Sequence, residues 1–176
     1  MVQIRPLQER DDLEALTRLL HAAYATLMAQ GWNFTAATQS VQTTRERIAA
    51  GQAFVAERGA RLVGTVTIAG PKPADGRYLS DAVPPLYTDP DTAILAQLAV
   101  HPEARGQGLA EQLMDAAEDW ARTQGYARVA LDTARPAEQL QRRYARRGYV
   151  PAGEVQWEGK TYASVLMVKK LGAQQP

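Results

Sequence analysis

The segment TAILAQLAV, Thr92 to Val100, is apolar throughout apart from Gln97. A strand that shows one face to water alternates polar and apolar side chains, so an unbroken apolar run predicts a central strand covered on both faces. Helices must then flank a sheet. HPEARGQGLA follows, His101 to Ala110, a basic turn punctuated by glycine. After it Leu109, Leu113, Met114, Ala117, Trp120 and Ala121 form one apolar stripe, which predicts a helix stopped at Gly125.

The other elements are read outward from this core. Val2 to Arg5 is a short first strand closed by Pro6. Asp11 is expected to cap a helix with Glu14 three residues on, its apolar side made by Leu13, Leu16, Leu20, Ala23 and Leu27 and its end at Gly31. A second helix spans about Ser40 to Ala50 and ends at Gly51. AFVAE and RLVGTVTIAG flank the RGA turn as an antiparallel hairpin. Pro71 to Asp91 reads as a long loop holding Tyr78 and Tyr87. ARVALDT is a strand, Ala137 to Arg147 a helix ending at Gly148, and GEVQWEG with KTYASVLMVKKL a last hairpin. The order β-α-α-β-β-β-α-β-α-β-β implies a mixed α/β layer structure, and 176 residues with 45% hydrophobic content suit one domain, 1–176.

Several function classes are excluded or disfavoured. With 20 basic and 19 acidic residues the net charge is +1, so no long-range field draws the chain to nucleic acid or an anionic membrane. Cysteine is absent, which removes disulfides, thiolate metal sites and a cysteine nucleophile and suits a reducing compartment. MVQIRPLQERDD lacks the apolar stretch of a signal peptide, and no run reaches the roughly 20 apolar residues that span a bilayer. A cytoplasmic location is expected, and no metal.

Any anion site must therefore be local, and the turn at Arg105 to Ala110 is the place for one. Strand, glycine-rich turn and helix together point backbone N–H groups and a positive helix end at a phosphate. Gly106 and Gly108 matter by lacking side chains, and Arg105 adds a positive charge. A Walker A loop would need Lys and then Ser or Thr after the last glycine, where Leu109 and Ala110 stand. A dinucleotide fingerprint would need a third glycine and an earlier place in the chain.

LAVHPEARGQGLAEQLM resembles motif A of the GNAT superfamily of acyl-coenzyme A-dependent N-acyltransferases. That pattern is Arg or Gln, two residues, Gly, one residue, then Gly or Ala, and Arg105 to Ala110 satisfy it. LQRRYARRGYV is similar to a later family segment in which a Tyr stands four residues before a Gly-aromatic pair, here Tyr144, Gly148 and Tyr149. The resemblance implies the GNAT fold, a mixed central sheet flanked by helices with strands 4 and 5 splayed, and acetyl-coenzyme A (acetyl-CoA) as co-substrate. It implies that the amides of Gly106, Gln107, Gly108, Leu109 and Ala110 bind the pyrophosphate with support from Arg105. A bulge in strand 4 would let the pantetheine arm bond to the main chain of Leu98, Ala99 and Val100, with the Leu98 N–H facing the thioester carbonyl.

The same resemblance makes Tyr144 the general acid for the leaving thiolate in acetyl transfer to a primary amine. Two departures stand beside it. Many relatives carry Asn seven residues before that Tyr, where this chain has Ala137, and no general base stands out. His101 reads as a loop residue, His21 as part of the first helix's polar side, and Asp81, Asp89 and Asp91 as loop positions. A non-catalytic acyl-CoA sensor of the same fold is the alternative. By family analogy Tyr24, Trp32, Tyr78 and Tyr87 recognise the acceptor, a small-molecule or peptide amine; Tyr24, Trp32 and Phe34 read equally as core beside the first helix. Trp157 suits an acceptor cleft or a subunit interface, and the arginines at 142, 143, 146 and 147 a solvated helix face, with a contact from one i, i+4 pair to the coenzyme's 3′-phosphate as the alternative. Homodimers are common in that family; no residue here points to one.

Overall fold

The computed structural model describes residues 1–73 and 83–172. Its strands are β1 (Val2–Pro6), β2 (Gly51–Arg58), β3 (Arg61–Ala69), β4 (Thr92–Val100), β5 (Arg128–Ala134), β6 (Val150–Val155) and β7 (Ser164–Lys170). Its α-helices are α1 (Leu13–Ala29), α2 (Val41–Ala49), α3 (Pro85–Thr88), α4 (Leu109–Thr123) and α5 (Glu138–Arg146), with 3-10 turns at Thr35–Ala37 and Pro102–Ala104. The seven strands are ordered β1-β2-β3-β4-β5-β7-β6. β4 and β5 run parallel, paired from Thr92 with Arg128 to Ile94 with Ala130, while β4 continues to Val100 and β5 to Ala134; β1 with β2, β2 with β3, β5 with β7 and β6 with β7 are antiparallel. This is the expected mixed α/β architecture with one addition. The single turn of α3 lies where a loop was expected, begun by Pro85 with its φ already suited to a helix and too short to show a period.

The described residues form two compact units, Met1–Ala69 with Leu95–Trp120, and Gly70–Ile94 with the chain from Ala121 onward. In the first, α1 and α4 cover opposite faces of the β2–β3 hairpin. Val55 packs with Leu16 and Leu19 of α1. The next residue, Ala56, points the other way beside its partner Gly64, where an added Cβ would stand 3.0 Å from Leu113 Cδ1 of α4. Gly51 does more than end α2. It opens β2 so close to its partner strand that a Cβ would meet the Ile68 carbonyl oxygen at 2.2 Å.

Asp12, not Asp11, caps α1, accepting from the Glu14 amide at 2.8 Å. Asp11 is already engaged: both its oxygens accept from Arg5, at 2.7 and 2.8 Å, and one also accepts from the Gln8 amide. Arg5 further bonds Glu57 at 2.9 Å and is itself buried. These hydrogen bonds hold the Asp11 and Glu57 carboxyls below the usual carboxylate range. Because both are harder to protonate when folded, their stabilisation is complete above that range and drains away as pH falls through it. Asp11→Asn should therefore be less stable than wild type at neutral pH, with the gap narrowing in urea unfolding as the pH falls into and below the usual carboxylate range.

In the second unit β5, β7 and β6 form antiparallel ladders, with β6 at the edge, where Pro151 withholds no needed donor. The last hairpin differs from expectation. β6 runs from Val150 rather than Gly153, which sits at φ 116 in the irregularity between Pro151 and Glu154. Trp157 consequently falls outside both strands and turns inward onto Tyr87, Ile94, Ala130 and Leu166.

Candidate active site

β4 is not the uniform strand its composition suggests. Thr92 to Leu95 are buried, but beyond them Ala96, Leu98 and Val100 are half-buried while Gln97 and Ala99 stay buried. The change comes at Gln97, whose φ of 55 is the one positive value at a non-glycine residue among those described. That conformation costs roughly 1–2 kcal/mol for an L-residue, and a polar cluster around the side chain holds it. Gln97 Oε1 accepts from Gln39 Nε2 at 2.9 Å, and Gln39 Nε2 also donates to Thr44 Oγ1 at 2.8 Å. Arg47 donates to Gln39 Oε1 at 2.8 Å, Thr17 to Thr44 at 2.8 Å, and Thr67 to the Ala96 carbonyl at 3.0 Å. His21 belongs here rather than on a polar helix side. Its Nε2 lies 2.7 Å from the Gln39 carbonyl.

Tyr24 reaches the same strand one residue on, its hydroxyl donating to the Leu98 carbonyl at 3.0 Å. Its ring packs against Leu20, Ala23, Ala36 and Ala99 and lies 5.5 Å from that of Phe34. Trp32 is half-buried just beyond α1, its amide bonded to the Leu27 carbonyl.

The turn after β4 is built in steps. His101 caps the 3-10 turn, Nδ1 accepting from the Glu103 amide, and Arg61 lies 3.1 Å from its Nε2, so it is a loop residue as expected. Arg105 donates to the Ala23 carbonyl at 2.9 Å, fastening the turn to α1, and Arg58 bonds Gln107. Gly106 and Gly108 lie at φ 77 and 74, with no atom within 4 Å of where a Cβ would stand. The backbone conformation thus demands glycine there, and the space before it is open. Gly108 accepts the first α4 bond, from Gln112 at 3.2 Å, so the amides of Leu109 and Ala110 precede the helical ladder. Open backbone, left-handed glycines and a helix N-terminus fit a pyrophosphate.

In the other unit Tyr144 is buried on α5, edge-on to Tyr149 with centroids 6.1 Å apart. Ala137 stands at the N-cap of α5 without a side-chain cap bond. Tyr87 is 1% exposed and stacked on Trp157 at 6.1 Å. Asp89 pairs with Arg128 at 2.9 Å, and the Asp91 carbonyl accepts from Ala127 and Arg128, so both acids tie α3 and β5 together. Tyr78 and Asp81 lie outside the described residues. Among the described residues no acidic, His or Cys group could hold a metal, and no helix is long and apolar enough to cross a membrane.

A family model described as the acetyltransferase (GNAT) family matches residues 13–149. This chain belongs to the GNAT acetyltransferase family. No curated protein matches it by sequence. Among solved structures it is similar to the ribosomal-protein-S18-alanine N-acetyltransferase of Escherichia coli, at 16% identity and TM-score 0.71, covering 100% of this chain and 99% of that one. A ribosomal-protein-alanine N-acetyltransferase of Brucella melitensis gives 21% and 0.70 over 96% and 99%. A GNAT acetyltransferase of Elizabethkingia anophelis with acetyl-CoA bound gives 14% and 0.64 over 97% and 98%.

Membership gives acyl transfer as the general chemistry and accounts for the left-handed loop at the mouth of α4. The polar cluster around Gln97 holds the positive φ of that residue within β4. Its signal was a glutamine inside an apolar run, though neither Gln39 nor Thr44 announced the partnership.

Proposed function

We propose that the protein transfers an acetyl group from acetyl-CoA to a primary amine of a small molecule or peptide. The observation that carries this reading is the pair of left-handed glycines, 106 and 108, opening α4 after the 3-10 turn that follows β4, itself irregular at Gln97. Acetyl-CoA supplies the thioester. The amides of residues 106–110 bind its pyrophosphate, and the main chain of Leu98, Ala99 and Val100 orients the pantetheine arm. The Leu98 amide is the donor we assign to the thioester carbonyl, where negative charge develops as the amine attacks. Arg105 contributes charge near the pyrophosphate while its guanidinium braces α1. Tyr144 returns a proton to the leaving sulfur. Tyr24, Trp32 and Tyr87 are the acceptor-side residues of this reading. A cytoplasmic enzyme without metal or nucleic-acid partner completes it.

Acetyl-CoA titration tests the cradle. Wild type should bind, and Gly108→Val should weaken binding at least about a hundredfold, since valine resists positive φ and fills the space before the amides. Absence of wild-type binding at millimolar ligand would overturn the assignment. Ala137 keeps a second reading alive, an acyl-CoA sensor without turnover, and thiol release across a panel of primary amines decides between the two.

A further inference from the structure

β5 carries a carboxylate to which the reading above gives no role. Asp132 lies two residues past Ala130, the last residue of β5 paired with β4. It is half-buried, and each oxygen has a fixed donor: the Tyr87 hydroxyl on Oδ1 and Trp157 Nε1, at 3.0 Å, on Oδ2. The two rings are stacked and buried with Ile94, Ala130 and Leu166, so the carboxylate is set against an apolar wall. Three separate pieces of chain, α3, β5 and the β6–β7 turn, converge to hold it.

Both donors are neutral, and among the described residues no cationic side chain pairs with Asp132. The neighbouring arginines on β5 and after it are engaged elsewhere, Arg128 with Asp89 and Arg135 with Glu154. A carboxylate partly stripped of water and left without a countercharge is costly unless a ligand supplies the cation. Two donors occupy one lone pair on each oxygen and fix the plane of the group, leaving further acceptor sites for an ammonium.

We propose that Asp132 is the binding residue for an ammonium group of the acceptor, with Tyr87 and Trp157 as its positioning residues. This deepens the amine-acceptor reading and rests on it for the ligand's role, but the binding itself is measurable without acetyl-CoA. A purely structural tie between α3 and the β6–β7 turn would need the hydrogen bonds alone and would be indifferent to soluble cations.

Calorimetric titration with putrescine, and with butanediol as its uncharged counterpart, tests this. Putrescine should bind, butanediol should not, and Asp132→Asn should weaken putrescine at least about tenfold while Asp132→Glu retains part of the affinity. Acetyl-CoA affinity should be unchanged in Asp132→Asn. Should that variant fail to fold, the wild-type indole N–H resonance of Trp157, assigned by its loss in Trp157→Phe, serves instead and should move with putrescine but not with butanediol. Equal putrescine binding by a folded Asp132→Asn, no preference of wild type for putrescine over butanediol, or an unmoved Trp157 resonance overturns the proposal. Failure of wild type to bind acetyl-CoA would sink the acyl-transfer reading and leave the amine titration standing on its own result.

Discussion

Gln39→Ala should lower the unfolding free energy by about 3 kcal/mol, and the melting temperature by roughly 6–12 °C. Gln39 is 6% exposed, and its amide is shared among three partners: Gln97, Thr44 and Arg47. Thr44 keeps its bonds to Thr17 and to the Ser40 carbonyl after truncation, so its loss is small. Gln97 Oε1 loses its donor inside the core, and Arg47 loses its acceptor, each costing about 1–3 kcal/mol when buried and less where water can enter. Gln42→Ala is the control, because Gln42 makes only an exposed helical bond to Glu46 and its loss should stay within about 0.5 kcal/mol. Gln97 itself offers a sharper contrast. Gln97→Ala removes the side-chain bonds and keeps the strained φ of 55, whereas Gln97→Gly removes both the bonds and the strain. The glycine variant should therefore be the more stable of the two by about 1 kcal/mol in urea unfolding, reversing the usual order in a strand. Equal stabilities would mean that Gln97 is not held against its preference.

What the sequence disclosed tracks what is local. Ser40 caps α2 through the Thr43 amide, and the stripe from Leu109 to Ala121 lies on one helix, because capping and helical period depend on residues a few positions apart. The first helix shows the limit. Asp11 and Asp12 are both competent caps, and the choice falls to Asp12 only because Arg5, on β1, has claimed Asp11. The last hairpin shows the same limit: GEVQWEG reads as a strand through Trp157, but β6 ends at Val155, and the place of Trp157 is set by Tyr87 on a distant turn. At the candidate site the loop was legible because its glycines answer a backbone demand written in a few consecutive residues. Gln39 and Asp132 were not, since each gains its meaning from a partner 58 or 45 residues away, and Tyr24 was singled out without its bond to Leu98, 74 residues on.

Tyr144→Phe should reduce kcat by about a hundredfold or more with little change in acetyl-CoA affinity, if the phenol delivers the proton to the leaving sulfur. The substitution removes one oxygen and keeps the ring, so the edge-on packing against Tyr149 and the bond from the Tyr149 amide to the Tyr144 carbonyl remain. A role in packing alone would therefore leave the rate near wild type. The pH profile separates the roles further. A thiolate with an unperturbed pKa near 8.5 needs a proton donor below that pH and progressively less help above it. A phenol, with an ordinary pKa near 10, is still protonated across that interval and is suited to the task. The deficit of the phenylalanine variant should accordingly be greatest near neutral pH and shrink as the pH passes about 8.5, while thiol release, not acetyl-CoA binding, carries the whole effect. A deficit constant across that range would assign Tyr144 to orienting the cleft, and a rate equal to wild type with the fold intact would remove it from the chemistry.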